Sequence, residues 1–141
     1  RESGSRCKSM SGEARKMRIN DEFQKVFEQY KKLAGNQNVN YVVTSTNRQG
    51  DPKKNPHAIK DNAMDITLRT RGQYSPISEY NELMAFLIEK WPYRAGVDNT
   101  TGNIHIHLDL GMLLPKGQKM PYFFLEDGGV WIREVKSKED L

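Results

Sequence analysis

The sequence predicts an α+β fold, a small antiparallel sheet with two main helices. Three observations carry this. Two stretches repeat apolar residues at three- and four-residue steps, and several short runs are β-branched or alternate apolar with polar. Turn-forming residues then join most of those runs. The first helix spans residues 19–34, where Phe23, Val26, Phe27, Tyr30 and Leu33 form the stripe, Asn20 is the expected N-cap and Gly35 the stop. Val39 to Thr44 is rich in β-branched residues and reads as a buried strand. Arg48 to Pro56, with Gly50 and Pro52, is a loop.

Ala63 to Leu68 alternates, placing Met64, Ile66 and Leu68 on one face and Ala63, Asp65 and Thr67 on the other. Ser75-Pro76 is expected to open the second helix as cap and first helical residue. Its stripe is Ile77, Tyr80, Leu83, Met84, Leu87, Ile88 and Trp91, and Pro92 ends it. Strands follow at Tyr93–Val97 and Asn103–Leu110. Tyr122–Leu125 and Val130–Glu134 flank Glu126-Asp127-Gly128-Gly129 as a hairpin, with Trp131 expected in the core. Lys136 to Leu141 is expected to fray.

The 141 residues fit one domain, taken as 19–134 between a basic N-terminal segment, 1–18, and a tail, 135–141. The net charge of +4 resides wholly in residues 1–18, so the remaining body is balanced and has no charge-based claim on nucleic acid. The basic segment itself is expected to be flexible and solvated. A single cysteine, Cys7, excludes an internal disulfide framework and a multi-cysteine zinc ribbon. The longest apolar run, Leu83 to Ile88, is far short of the roughly 18–20 residues of a membrane span, and no signal-peptide core is visible. Any metal must be held by histidine and carboxylate.

Chemistry concentrates in three segments: Val43-Thr44-Ser45-Thr46-Asn47-Arg48, Pro56-His57 with Asp61 to Ile66, and Asn103 to Asp109. All three histidines lie in the last two. In the third, strand alternation sends Ile104, Ile106, Leu108 and Leu110 to the core and lines His105, His107 and Asp109 along the opposite face. Two imidazoles and a carboxylate in one row need partners or a cation, and these are suitable zinc ligands; an exposed polar sheet face is the other reading of the same row.

These segments resemble the zinc D,D- and L,D-peptidases of bacterial cell walls: D-Ala-D-Ala carboxypeptidases and dipeptidases, and the L-alanyl-D-glutamate endopeptidases of phage lysins. The hedgehog signalling domain shares their fold. That family's pattern is a strand ending I-T-S-G-Y-R, then S-x-H-x-x-G-x-A-x-D-I, a helix, and a late V-H-I-D strand. Val43 to Arg48, His57 with Ala63-Met64-Asp65-Ile66, and Ile106-His107-Leu108-Asp109 match it in order over roughly residues 20–111.

The resemblance implies one zinc ion on His57, Asp65 and His107, with Arg48 and Ser45 binding substrate and Arg48 taking a carboxylate through its bidentate guanidinium. It implies hydrolysis of a peptide bond in the peptidoglycan stem or cross-link by water activated on the metal. It also implies a site of action in the cell wall or periplasm, or delivery by a phage virion or lysis system.

Three departures from the pattern stand out. Seven residues separate His57 from Asp65 where the family has six; Asp61 replaces a glycine and Asn55 a serine; and Ile104 occupies the position of the family's general base. His105 and Asp98 are the candidates for that base, and Asp109 is a candidate to orient a ligand histidine. Two other readings remain open. One is a non-catalytic zinc- or wall-binding module, such as a virion component, on the same fold. The other is a nuclease of the His-hydrophobic-His type using His105 and His107, for which Tyr122 is the one downstream tyrosine.

Overall fold

A computed structural model describes residues 18–35, 37–100, 102–111 and 120–141. The basic segment, except Arg18, lies outside the described residues. Helix α1 spans Arg18–Ala34 and buries Ile19, Phe23, Phe27 and Tyr30. Leu33, expected on this stripe, is exposed. Asn20 does not cap the helix but lies inside it, fully buried, and its side-chain oxygen accepts from the Tyr41 hydroxyl at 2.7 Å.

The strands are β1 Val39–Ser45, β2 Ala63–Thr70, β3 Gln73–Tyr74, β4 Arg94–Asp98, β5 His105–Asp109, β6 Phe123–Asp127 and β7 Val130–Glu134. They form one sheet in the order β1-β2-β5-β4-β6-β7, with β3 beside β2. The expected antiparallel sheet is therefore a mixed one, because β6 pairs with β4 in parallel. β5 turns back antiparallel on β4 and also pairs with β2, leaving only the far edge of β4 open to β6.

Helix α2 runs Ile77–Lys90. Ser75 is not its cap: it is buried, its hydroxyl is 2.7 Å from that of Thr70, and Pro76 holds the cap position without a side-chain hydrogen bond. The two helices cover one face of the sheet, where Met64, Ile66, Leu68, Ala95, Val97, Ile106 and Leu108 are wholly buried. Phe23 fastens α1 to both β1 and the end of α2, meeting Tyr41 edge-on at 5.0 Å and Trp91 at 5.8 Å. Such aromatic pairs contribute roughly 0.5–1.5 kcal/mol each beyond area burial, so Phe23 helps fix α1 to the sheet and to α2.

The same alternation sends Asp65, Arg94, Gly96, Asp98, His105, His107 and Asp109 to the other face. The chain end differs from expectation: Val135 is buried, a 3-10 turn covers Lys138–Asp140, and Leu141 packs against the core, so residues 135–141 dock instead of fraying. β7 extends the sheet as its edge, and Trp131 is about half exposed there and not in the core.

Candidate metal centre

His57, Asp65 and His107 meet on the face of the sheet opposite α1 and α2, with one ligand atom from each lying within 4.8 Å of the others. Asp65 and His107 are direct partners across the β2–β5 ladder. His57 comes from outside the sheet. A 3-10 turn, Pro56–Ala58, carries it, and Asn55 caps that turn by accepting the His57 N–H at 2.9 Å. Asn therefore serves in the capping role that serine also fills well. The return to β2 passes through Asp61, whose φ of 57° is left-handed. Glycine suits that conformation, and aspartate tolerates it better than most residues. Asn55 and Asp61 each suit the local backbone they occupy.

Each histidine is oriented by a second partner. The His57 Nδ1 lies 2.8 Å from the Thr46 carbonyl and so donates to it, which turns Nε2 toward Asp65 Oδ1 at 3.3 Å. His107 places Nδ1 3.0 Å from Asp65 Oδ1 and Nε2 2.7 Å from Asp109 Oδ2. Asp109 is fully buried and grips Arg94 through two hydrogen bonds of 2.8 and 2.7 Å, and it accepts the Gly111 N–H at 2.7 Å. Sequence reading did not single out Arg94. Asp109 has the orienting position expected of it.

Burial alone would raise the Asp65 carboxyl, but hydrogen bonds from His107 and His57 outweigh it and hold the group far below the usual carboxylate range. Burial would depress His107; hydrogen bonds with Asp109 and Asp65 overcome that and push it up to about 9. Burial would likewise raise Asp109, yet Arg94 and His107 bring it down to about 2. Without metal, His107 is thus an imidazolium donating to a carboxylate from each nitrogen. With a cation in place of the Nδ1 proton, the donor set is two imidazole nitrogens and one carboxylate oxygen, with Thr46 and Asp109 fixing the rings, which suits a three-ligand zinc site.

The centre opens into a cleft of about 460 Å³ whose walls include Arg48, His105, Phe124, Glu126 and Trp131. Arg48 is half exposed and places Nη2 3.4 Å from Asp65 Oδ2, while its backbone N–H donates to the His57 carbonyl at 2.8 Å. Ser45 pairs with Asp65 in the β1–β2 ladder but does not line this cleft. Gly96 sits between His107 and Phe124 in the ladder, and a Cβ there would lie 2.2 Å from the Phe124 ring. The bare backbone lets that ring lie against His107, centroids 6.1 Å apart.

The two candidates for the base have different surroundings. Asp98 is buried, and Oδ1 accepts from the Thr100 N–H and hydroxyl and the Gly128 N–H, while Oδ2 accepts from the Gly129 N–H. Burial would raise its carboxyl, but those bonds hold it below the usual range. It anchors the β4–β5 loop to the β6–β7 turn. His105 lines the cleft, half-buried, but groups with Asp98 and Glu126 rather than with His107. Sequence reading missed Glu126, because only the parallel β4–β6 pairing brings it alongside Asp98.

No family model, curated protein or solved structure matches the chain.

Proposed function

We propose that this protein is a zinc-dependent peptidase that hydrolyses a peptide bond of bacterial peptidoglycan, built on the fold shared by cell-wall D,D- and L,D-peptidases and the hedgehog domain. One observation carries the reading: His57, Asp65 and His107, from three separated segments, converge within 4.8 Å at a cleft bordered by Arg48. Bound there, zinc would supply a Lewis acid for the scissile carbonyl and a water acidified toward a pKa of about 7.

The chain's own residues do the rest. Thr46 and Asp109 hold the two rings in the orientation that exposes one nitrogen of each to the centre. Asp65 supplies an oxygen that stays ionised across the working pH range. Arg48, half exposed and only loosely paired, can turn its guanidinium to a substrate carboxylate. Phe124 and Trp131 give the cleft an apolar wall that limits water on that side. Such a substrate lies outside the cytoplasm, so the reading implies action in the wall or periplasm, or delivery by a phage particle or lysis system.

The test is incubation with purified peptidoglycan, reading new amines and released D-Ala by mass spectrometry. Cleavage should stop with chelator, return with zinc and be absent in His107→Ala. Arg48→Ala should keep its metal and lose activity mainly on substrates with a free carboxylate. Zinc bound without any cleavage would replace the enzyme with a binding module, and DNA nicking without wall cleavage would replace it with a nuclease.

A further inference from the structure

His105, Asp98 and Glu126 stand in one row across β5, β4 and β6, and a ligand atom of each lies within 4.8 Å of the other two. The His105 Nδ1 is 2.9 Å from the Asn103 carbonyl, so in the neutral ring Nδ1–H donates there and Nε2 keeps its lone pair. Thr46 does the same for His57. Asp98 is held rigidly, yet among the described residues Oδ2 accepts only the Gly129 N–H and has a lone pair to spare. The Glu126 carboxylate is half-buried and accepts no hydrogen bond from a described residue.

Three groups that can each offer a lone pair therefore face one another. Two of them are carboxylates on adjacent strands, an arrangement that repels unless a positive charge lies between. Burial raises the Glu126 carboxyl above the usual range, His107 and His105 lower it, and Asp98 and Asp65 raise it further. These neighbours leave the anion short of compensation.

We propose that Asp98, His105 and Glu126 bind a second divalent cation beside the first, in a site of one nitrogen and two oxygen donors that suits Zn²⁺ or Mn²⁺. His105 and His107 share one strand face two residues apart, a repeat of about 6.6–6.8 Å. Ions bridged by a single hydroxide lie about 3.5–4 Å apart. The second ion is therefore a separate neighbour of the first, with His105 and Glu126 lining the same cleft. It also ties β6 to β5 through the anchor at Asp98. This inference stands apart from the peptidase reading, since it concerns metal stoichiometry and not turnover.

The experiment is equilibrium dialysis of the chelator-treated 141-residue chain against Zn²⁺, and separately Mn²⁺, with metal analysis and circular dichroism to confirm folding. Wild type should hold two equivalents of at least one metal. His105→Gln and Glu126→Gln should each hold one, as should His107→Ala, and the double variant His105→Gln/His107→Ala should hold none. One equivalent in wild type, kept in His105→Gln and Glu126→Gln but lost in His107→Ala, would overturn the second site alone. One equivalent lost in His105→Gln and kept in His107→Ala would support it and overturn the first centre.

Discussion

Asn47 and Asp61 clasp each other: the Asn47 side-chain oxygen accepts the Asp61 N–H at 2.9 Å, and its amide donates to the Asp61 carboxylate at 3.4 Å. Asn47 precedes Arg48, and Asp61 ends the turn that follows His57. The clasp therefore joins the loop bearing the guanidinium to the loop bearing the imidazole. It also stabilises the left-handed backbone at Asp61.

Asn47→Ala should remove the stronger bond and leave the Asp61 N–H seeking water, at a cost of about 1–2 kcal/mol. The looser His57 loop should also weaken zinc binding. Asp61→Gly keeps the left-handed φ and the N–H, so it should retain most stability and metal affinity. Asp61→Val should lose both, because a β-branched residue is a genuine outlier there. Urea unfolding and zinc titration of the three variants check this. Equal damage from the glycine and valine variants would mean that backbone conformation is not what Asp61 contributes.

How far the site was legible follows from which constraints are local. His105, His107 and Asp109 share a face because a strand alternates, and Asp65 was placed opposite Met64 and Ile66 by the same rule. Both helices announced themselves by the spacing of Phe23, Phe27 and Tyr30 and of Tyr80, Leu83 and Leu87. Glu126 and Arg94 were missed for a different reason. Their roles depend on which strands lie side by side, and no local pattern encodes that β6 runs parallel to β4. Trp131 was misplaced because an edge strand and a central one carry similar apolar residues, and only neighbour order tells them apart. Ser75 and Asn20 were read as caps on composition, whereas tertiary partners, Thr70 and Tyr41, hold them instead.

Charge at His107 makes the protein's pH response depend on metal. Its folded value of about 9 stands above the reference 6.5, so its contribution to stability is fully present below pH 6.5 and is lost as pH rises through about 9. Chelator-treated protein should accordingly melt at lower temperature at pH 9.5 than at pH 6.5. Zinc must displace the Nδ1 proton, so its dissociation constant should fall about tenfold per pH unit between pH 7 and 9. Asp109→Asn should flatten both trends and weaken zinc binding roughly 10–100-fold. That variant should also lose about 3–5 kcal/mol of stability, because Arg94 is left buried without its anion. Thermal melts and zinc titrations across pH decide it; an unchanged pH profile in Asp109→Asn would remove Asp109 as the source of the raised value.

Gly96 provides a test of the cleft wall that touches no titratable group. Its α-carbon faces the site, between His107 on one neighbouring strand and Phe124 on the other, and an added Cβ would lie 2.2 to 2.6 Å from three atoms of the Phe124 ring. That ring is part of a nearly fully buried side chain, so it cannot swing to solvent freely. Gly96→Ala should cost about 1–3 kcal/mol through overpacking, push Phe124 off His107 and reshape the cleft. Phe124→Leu is smaller and more adaptable, so the double variant should recover part of the loss. Full additivity of the two single effects would show that the ring and the glycine do not share that space. Recovery of stability without recovery of zinc affinity would separate packing from the support that Phe124 gives the His107 ring.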